Sequence, residues 1–420
     1  MRKRHVDEDH RGSARAFVLV LLTVSMLVHP GAQRQTSVGH ADAPPYFGTL
    51  NSHSARAQSS FTTGIRTIEF VINWSRYEPQ DGVFSQDYIA SKQRELRTWL
   101  DAGMRPTLSL SLHYTPEWVC GLPGATFRDQ FGTTTCQPPN MVFSETVRAR
   151  IKRAIEHVAT DFGAENFWAV RVQNGAMQGE IGYPPADGNR FWAYDDNASG
   201  GPDLPRTIPP RPHPDWVPGD VSTTPAQVRE WFNWYMAALA DAQDFQIAEY
   251  RRRGFTGPFW LIMPGSCCHV NEVERYLDGH LGDANQFIGQ GSARWYMVRA
   301  LKEKANVGVY TSSLAEAGGA QDSCQPGDAS LSERDPVVDG FGAGRWIGFI
   351  AQKFGLLAAG ENPGPAQSNG YGYGTGMMEA AARIAHSCGY AAMYWAHEDD
   401  LYSGGLLSHY ESVIDHYDGG

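Results

Sequence analysis

The regular alternation of short apolar strands with amphipathic helices is the feature that most constrains the fold of this chain. Eight runs rich in β-branched, aromatic and aliphatic residues are predicted strands, and helical patterns separate them. Such alternation indicates parallel strands joined by helical crossovers. The predicted strands cover residues 46–52, 67–74, 105–113, 167–174, 258–264, 306–312, 355–361 and 391–397.

The connections between these strands carry apolar residues three and four positions apart, and several end in Gly, as helices often do. The weakest helical pattern is HSARAQSSFTTG, in the first crossover. We therefore predict an α/β protein, a (β/α)8 TIM barrel with long loops at its C-terminal face. A doubly wound open sheet is the alternative, but no Gly-rich phosphate turn follows the first strand.

The N-terminal region has the order of an export signal. A charged stretch leads into the apolar segment AFVLVLLTVSMLV, which is shorter than the ~20 residues that span a bilayer. Ala41, Asp42 and Ala43 fit the small-x-small cleavage pattern. We predict a signal peptide and export region over 1–43, a single catalytic barrel over 44–420 and a secreted product. Retention as an anchor is the alternative.

Six cysteines in an exported chain predict disulfides rather than a metal site, because CxxC-type spacing is absent. Cys120 and Cys136 bracket a Gly/Thr-rich loop that a local bridge would close. Two further bridges are expected among the other four cysteines, with their pairing left open.

The formal net charge of −11 disfavours nucleic acid and anionic membranes as partners. Nothing in the sequence demands a cofactor. A structural calcium in YDDNASGGPD is an alternative to a plain turn over Asp195, Asp196 and Asn197. We make no prediction of oligomeric state.

Long loops rich in Trp, Tyr, Pro and Gly follow the third and fourth strands, and such loops form the C-terminal face, where barrel enzymes keep their active sites. Glu180 lies just past strand four and Glu361 ends strand seven, so the two carboxylates are expected to face each other across the mouth. Hydrolysis of a glycosidic bond needs one carboxylic acid to protonate the leaving oxygen and a second carboxylate to attack the sugar or activate water.

The chain resembles the clan A glycoside hydrolases over nearly the whole exported part. INWSRYEPQDGVFSQDYI followed by LDAGMRPTLSLSLHYTPEWV is similar to the second and third strand region of the β-galactosidase and cellulase-like families. GENPG and YWAHED are similar to the nucleophile segment and to the platform under the sugar. The resemblance implies that Glu361 is the nucleophile and that Trp395 stacks on the substrate.

The acid segment departs from this pattern, because the acid in those families commonly follows an Asn directly. Here Asn174 is followed by Gly175, and Glu180 comes later in GAMQGEIGYPP, which is more similar to the acid turn of the inverting β-amylases. Retention is the expected outcome, and inversion is the alternative. A carboxylate separation of ~5 to 5.5 Å favours retention and ~6.5 to 9.5 Å favours inversion.

Several other residues are candidates for contact with the sugar, each with a structural alternative. His113 and Asn174 end strands three and four, and Tyr310 could orient the nucleophile. Glu398, Asp399 and Asp400 also follow a strand, and they could accept sugar hydroxyls or serve instead as catalytic carboxylates. Aromatic rings stack on pyranose faces, and Trp118, Trp192 and Trp216 lie on the long loops. Glu69 and Glu78 are expected to pair with Arg66 or Arg76, and Trp99 and Trp231 to lie in the core.

These observations predict a secreted glycoside hydrolase that cleaves a neutral oligo- or polysaccharide, with Glu180 as general acid/base and Glu361 as nucleophile. The alternative is a barrel that binds carbohydrate without cleaving it. Serine hydrolase chemistry is disfavoured because no G-x-S-x-G elbow occurs at a strand-helix turn. Sugar identity, anomer and exo or endo mode are not predicted.

Overall fold

Eight parallel strands close into a barrel. The computed structural model describes residues 46–176, 179–185, 187–264, 267–315, 321–362 and 375–418, so the predicted export region lies outside the described residues. The strands are β1 (Tyr46–Thr49), β2 (Thr67–Asn73), β3 (Arg105–Ser111), β4 (Ala169–Val172), β5 (Phe259–Met263), β6 (Val307–Thr311), β7 (Leu357–Asn362) and β8 (Ala392–Trp395).

The first and last strands pair with each other, which closes the sheet. Tyr46 is in register with Ala392, and Gly48 is in register with Thr67 on the other side of β1. The strand order around the barrel is β1, β8, β7, β6, β5, β4, β3, β2. The predicted TIM barrel is confirmed, and closure excludes the open sheet. Each observed strand overlaps its predicted run.

Helices fill the connections between the strands, including the weakly predicted first crossover. Side-chain caps mark the starts of the longer ones: Ser144 accepts a hydrogen bond from the Val147 amide, and Thr224 and Gln227 form a capping box. The helices are α1 (Ala57–Thr62), α2 (Trp74–Tyr77), α3 (Gln86–Asp101), α4 (Glu145–Phe162), α5 (Pro225–Arg252), α6 (Val270–Asp278), α7 (Gln286–Gly289), α8 (Arg294–Ala300), α9 (Ala343–Phe354), α10 (Thr375–Ser387), α11 (Glu398–Tyr402) and α12 (Leu407–Asp418).

Side chains alternate along each strand between the barrel interior and the surrounding helices. The interior has an apolar layer that includes Ala169, Trp260, Ala359 and Tyr394. Two positions further along β4 and β7, the interior side chains become charged. The strands therefore carry a polar layer above an apolar floor, toward the C-terminal face.

The long loop after β4 folds against α5 and forms an aromatic core of its own. Tyr183 stacks on Tyr235 with ring centroids 4.0 Å apart, and Trp216 meets Trp231 at 5.4 Å. Trp192 and Trp216 are only 3% and 4% exposed. This insertion is long enough to bury its own aromatic residues, and a sugar contact for Trp192 and Trp216 stays a prediction. Trp231, predicted as core, is buried.

The cysteines form three disulfides, Cys120–Cys136, Cys267–Cys268 and Cys324–Cys388. The predicted local bridge is confirmed, and it spans a loop that contains a short antiparallel hairpin, Phe127–Arg128 with Thr134–Thr135. None of the described helices is long and apolar enough to cross a membrane.

Candidate active site

Glu361 projects from β7 into the polar layer of the barrel, where two donors bind the same carboxylate oxygen. The Tyr310 hydroxyl on β6 donates a hydrogen bond to Oε2 at 2.5 Å, and Arg171 Nη2 on β4 donates to it at 3.0 Å. The Glu361 side chain is 13% exposed. The predicted contact between Tyr310 and Glu361 is present in the structure.

Arg171 also binds a second carboxylate, that of Glu69 on β2. The distance from Arg171 Nη1 to Glu69 Oε1 is 2.6 Å. The expectation that Glu69 pairs with Arg66 or Arg76 is wrong: Arg66 donates to the Phe61 carbonyl, and Arg76 lies over a tyrosine ring. The reason is that side chains alternate along β2, and Glu69 is at a position whose side chain points into the barrel, where it meets Arg171 on β4. Glu78 instead pairs with Arg153 on α4.

Two opposing effects act on the Glu361 carboxyl. Its pKa lies above the ordinary value, because burial outweighs the Arg171 charge and the Tyr310 hydrogen bond, which act in the opposite direction. Burial also raises the pKa of Tyr310 well above its ordinary value, so the phenol stays protonated and serves as a donor. The cation and the phenol on one oxygen favour the ionised form against burial, and they fix the orientation of the carboxyl.

Glu180 lies on a tight turn that the local sequence makes possible. Gly179 has a φ of +98°, and a Cβ there would come within 2.5 Å of Gln173 Oε1. The Asn174 side-chain oxygen accepts from the amides of Ala176 and Gly182, at 3.3 and 3.2 Å, and so ties the two ends of the turn together. A residue with a side chain at 179 would move Glu180.

The turn also attaches to the neighbouring strand. The Ile181 amide donates to the carbonyl of Ile262 on β5 at 2.6 Å. Glu180 is therefore fixed beside the ends of β5 and β6, although it comes from a loop. This location explains why Ser312, the residue after β6, reaches the Glu180 carboxyl.

The Glu180 carboxyl has a much weaker set of partners than Glu361. Its Oε1 accepts a hydrogen bond from Ser312 Oγ at 2.6 Å. The pKa of Glu180 is raised to about 7, mainly by burial and also by the charge of Glu361, while Ser312, Arg294 and Arg171 act in the opposite direction. A carboxyl with this pKa holds its proton up to neutral pH and can then release it, as a general acid/base requires.

Three residues of the site were not among the predicted ones: Arg171, Ser312 and Arg294. Arg171 carried a usable signal, because an arginine within the apolar run of a buried parallel strand must find a carboxylate partner. Arg294 is buried at the start of α8, and the charge of Glu180 raises its pKa while burial lowers it to about 10. Neither Arg294 nor Ser312 has a local pattern that distinguishes it from an ordinary helix or loop residue.

Two of the predicted sugar contacts make other contacts in the structure. Glu398 is fully buried and accepts from the His53 amide at 2.9 Å and from Arg56 at 3.0 Å. The Asn174 amide group binds the Gly182 carbonyl, in addition to the two bonds above. Both side chains fix loops of the C-terminal face, and their predicted contact with sugar hydroxyls stays a prediction.

The two tryptophans and the histidine predicted to contact sugar differ in their burial. Trp395, at the end of β8, is fully buried, and Trp118 is half-buried and donates to the Glu78 carbonyl at 2.9 Å. His113 lies at the mouth, its ring centroid 4.1 Å from that of Tyr114, and burial lowers its pKa, so it is neutral at pH 7. A sugar contact for these three residues stays a prediction.

One group of side chains in the described ranges has the spacing of metal ligands. The ligand atoms of Cys267, Cys268 and Glu272 lie within 4.8 Å of one another. The two sulfurs are joined in a disulfide, and thiolate is the form that binds zinc. The group is therefore a disulfide in this state. Asp195, in the proposed calcium segment, accepts from the amides of Asn197 and Ala198, as the plain turn predicts.

The barrel is similar to those of solved β-galactosidases at low sequence identity. The enzyme of the psychrophilic Marinomonas ef1 aligns over 83% of this chain and 53% of its own, with 12% identity and a TM-score of 0.53. The polyextremophilic enzyme of the Antarctic haloarchaeon Halorubrum lacusprofundi aligns over 89% and 57%, with 14% identity and a TM-score of 0.55. The comparison therefore shows a (β/α)8 barrel fold for this chain.

A third similar structure is the cold-adapted β-galactosidase of Rahnella sp. R3, with 11% identity and a TM-score of 0.55 over 90% of this chain and 57% of that one. The chain thus spans just over half the length of these three enzymes. No family model matches the sequence. No curated protein matches it.

Proposed function

We propose that the protein is a glycoside hydrolase that cleaves O-glycosidic bonds in a neutral oligo- or polysaccharide. The observation that carries this proposal is the contrast between two carboxyls at one barrel mouth. Glu180 has a pKa raised to about 7, whereas Glu361 is bound by Arg171 and Tyr310. One acid and one carboxylate are the pair that this reaction needs. The barrels of similar fold named above belong to β-galactosidases.

In the first step, the Glu180 carboxylic acid donates its proton to the glycosidic oxygen, and Glu361 Oε1 attacks the anomeric carbon. The bond between that carbon and the glycosidic oxygen breaks, and the leaving group departs as an alcohol. An ester then joins the sugar to Glu361. Arg171 and Tyr310 keep Oε2 in place while charge on the carboxylate falls.

In the second step, a water molecule attacks the anomeric carbon and gives its proton to the Glu180 carboxylate. The ester bond breaks, the Glu361 carboxylate is restored, and the sugar is released with a new hydroxyl. Glu180 is protonated again and ready for the next cycle. A group that gives and then takes a proton works best with a pKa near the working pH, which is what burial does for Glu180.

The test is release of reducing ends from a panel of aryl glycosides and neutral polysaccharides by wild type, Glu180→Gln and Glu361→Gln. We expect one substrate class to be cleaved and both variants to lose activity by about 10³-fold or more while staying folded. Asp195→Asn is the matched control, because Asp195 is a buried carboxyl with a pKa raised to about 6 outside this pair. Variants as active as wild type would contradict the assignment.

The same assay separates hydrolysis from binding alone. A carbohydrate-binding barrel would release no reducing ends, and it would bind the sugar equally well in wild type and in both Gln variants. A hydrolase would bind the sugar in the variants and cleave it in wild type.

Retention of anomeric configuration follows from a nucleophilic Glu361. Proton NMR of the first product formed from an aryl glycoside distinguishes the outcomes before mutarotation. Retention in the first product supports the covalent step, and inversion would assign Glu361 to activation of water instead.

We also propose that the protein is secreted, which the three disulfides and the N-terminal sequence support.

A further inference from the structure

Two carboxylates share the Arg171 guanidinium inside the barrel. Nη2 lies 3.0 Å from Glu361 Oε2, and Nη1 lies 2.6 Å from Glu69 Oε1. The side chains of Glu69, Arg171 and Glu361 are 10%, 7% and 13% exposed. A guanidinium keeps its charge at all relevant pH values, so one positive charge here serves two acids.

We propose that Glu69 is a positioning residue for the nucleophile. It binds Nη1 of Arg171 so that Nη2 meets Glu361, and its negative charge offsets part of the guanidinium charge that acts on Glu361. This inference rests on the proposed function for its catalytic meaning. Glu69 on β2 acts on Glu361 on β7 through Arg171, which lies on β4.

The planar guanidinium explains how a residue on β2 can orient one on β7. Nη1 and Nη2 belong to one rigid fork, so fixing Nη1 on Glu69 also fixes the direction of the N–H groups of Nη2. Arg171 Cζ lies over the Tyr310 ring, 5.0 Å from its centroid, which limits movement of the guanidinium toward that side. Three strands therefore determine the orientation of one carboxylate.

Glu69 also opposes the charge that Arg171 brings to Glu361. Its negative charge favours the protonated form of Glu361, whereas Arg171 favours the ionised form. The tyrosines stay neutral, because burial raises the pKa of both, that of Tyr394 to about 12. The titratable and charged groups around Glu361 are Glu69 on β2, Arg171 on β4, Glu180 after β4, Tyr310 on β6 and Tyr394 on β8.

Glu69→Gln separates the two roles, because the amide oxygen can still accept from Arg171 while the negative charge is gone. We expect the pKa of Glu361 to fall by on the order of one unit. The acidic limb of the kcat/KM profile should move to lower pH by the same amount. Glu69→Ala also removes the anchor of Arg171, and kcat should fall by about tenfold to a hundredfold.

Asp241→Asn is the matched control. Asp241 pairs with Arg148 at 2.8 Å, and these side chains are 9% and 4% exposed, so this pair is as buried as the one in the barrel. The substitution should leave the pKa of Glu361 and the acidic limb unchanged. If Glu69 were merely structural, Glu69→Gln and Asp241→Asn would both cost stability and neither would move Glu361.

The decisive readout is the carbon-13 NMR titration of glutamate carboxyls in wild type and Glu69→Gln, with Glu361 assigned through Glu361→Gln. It needs no substrate, so it tests the inference even if no sugar in the panel is cleaved and the proposed function fails. A lower pKa of Glu361 in Glu69→Gln supports the inference. An unchanged or higher pKa overturns it.

Discussion

The two carboxyls of the site are held by different parts of the fold. Glu361 is on a barrel strand and receives two donors from two other strands, one of them charged. Glu180 is on a loop, and among the described residues the Ser312 hydroxyl donates a hydrogen bond to it. Both are buried, so the difference in their partners decides which of them carries charge at neutral pH.

The barrel strands and the loops thus provide different environments for a carboxyl. Strand parity brings charged side chains together across the interior, which stabilises an ionised group. A loop that crosses the mouth can bury a carboxyl so that desolvation outweighs the nearby charges of Arg294 and Arg171, which raises its pKa to about 7. Each of four substitutions replaces one side chain of the site and so tests this difference.

The largest effect is expected from Arg171→Met, which leaves Glu69 and Glu361 buried without their cation. The free energy of unfolding should fall by about 3–5 kcal/mol at pH 8. The loss should shrink toward pH 5, as the carboxyls take up protons. Urea unfolding followed by circular dichroism at both pH values measures this, and a loss independent of pH would contradict the role of charge.

Glu180→Gln should stabilise the fold at high pH. The pKa of Glu180 is raised from 4.5 unfolded to about 7 folded, so wild type loses stability as the pH rises through this range. The variant removes that loss and should gain about 3 kcal/mol at pH 8 and nothing below pH 4. Equal stabilities at pH 8 would show that burial does not raise this pKa.

Tyr310→Phe removes one of the two donors that bind Glu361 Oε2. Loss of the hydrogen bond to Glu361 removes about 1.5–3 kcal/mol of stabilisation from the carboxylate. The pKa of Glu361 should therefore rise, and the acidic limb of kcat/KM should move to higher pH by about one unit or more. An acidic limb that stays in place would assign Tyr310 to the core alone.

Ser312→Ala should give the smallest change, on the loop side. The hydroxyl favours the ionised form of Glu180, so its loss should raise the pKa of Glu180 and move the basic limb of kcat/KM to higher pH. A hydrogen bond of about 1 kcal/mol corresponds to a shift of under about one unit. Ser312→Thr keeps a hydroxyl and serves as the control.

The barrel and the two carboxyl positions were predictable from sequence because they depend on local periodicity. The strand runs and their order place Glu180 and Glu361 at the C-terminal face without knowledge of any distance. The partners of Glu69 were not predictable in this way. Its pairing with Arg171 depends on which side chains meet across a closed barrel, and Arg66 was closer in sequence.

The loops limited the prediction in a second way. Aromatic residues on a long insertion suggest a sugar platform, yet Trp192 and Trp216 pack within the insertion itself, because nothing in the sequence states which loop surface faces the cleft. Asn174 ties the turn that carries Glu180, a role that requires the turn geometry to be known. The positions of Glu180 and Glu361 were therefore predictable, whereas the groups that hold them required the structure.

The most direct test of this account is the carbon-13 NMR titration of Glu180 and Glu361 in the same wild-type sample, with each signal assigned through its Gln variant. We expect Glu361 to lose its proton first and Glu180 to titrate at about pH 7. If Glu361 keeps its proton to a higher pH than Glu180, the roles of acid and nucleophile are reversed and the central claim is wrong.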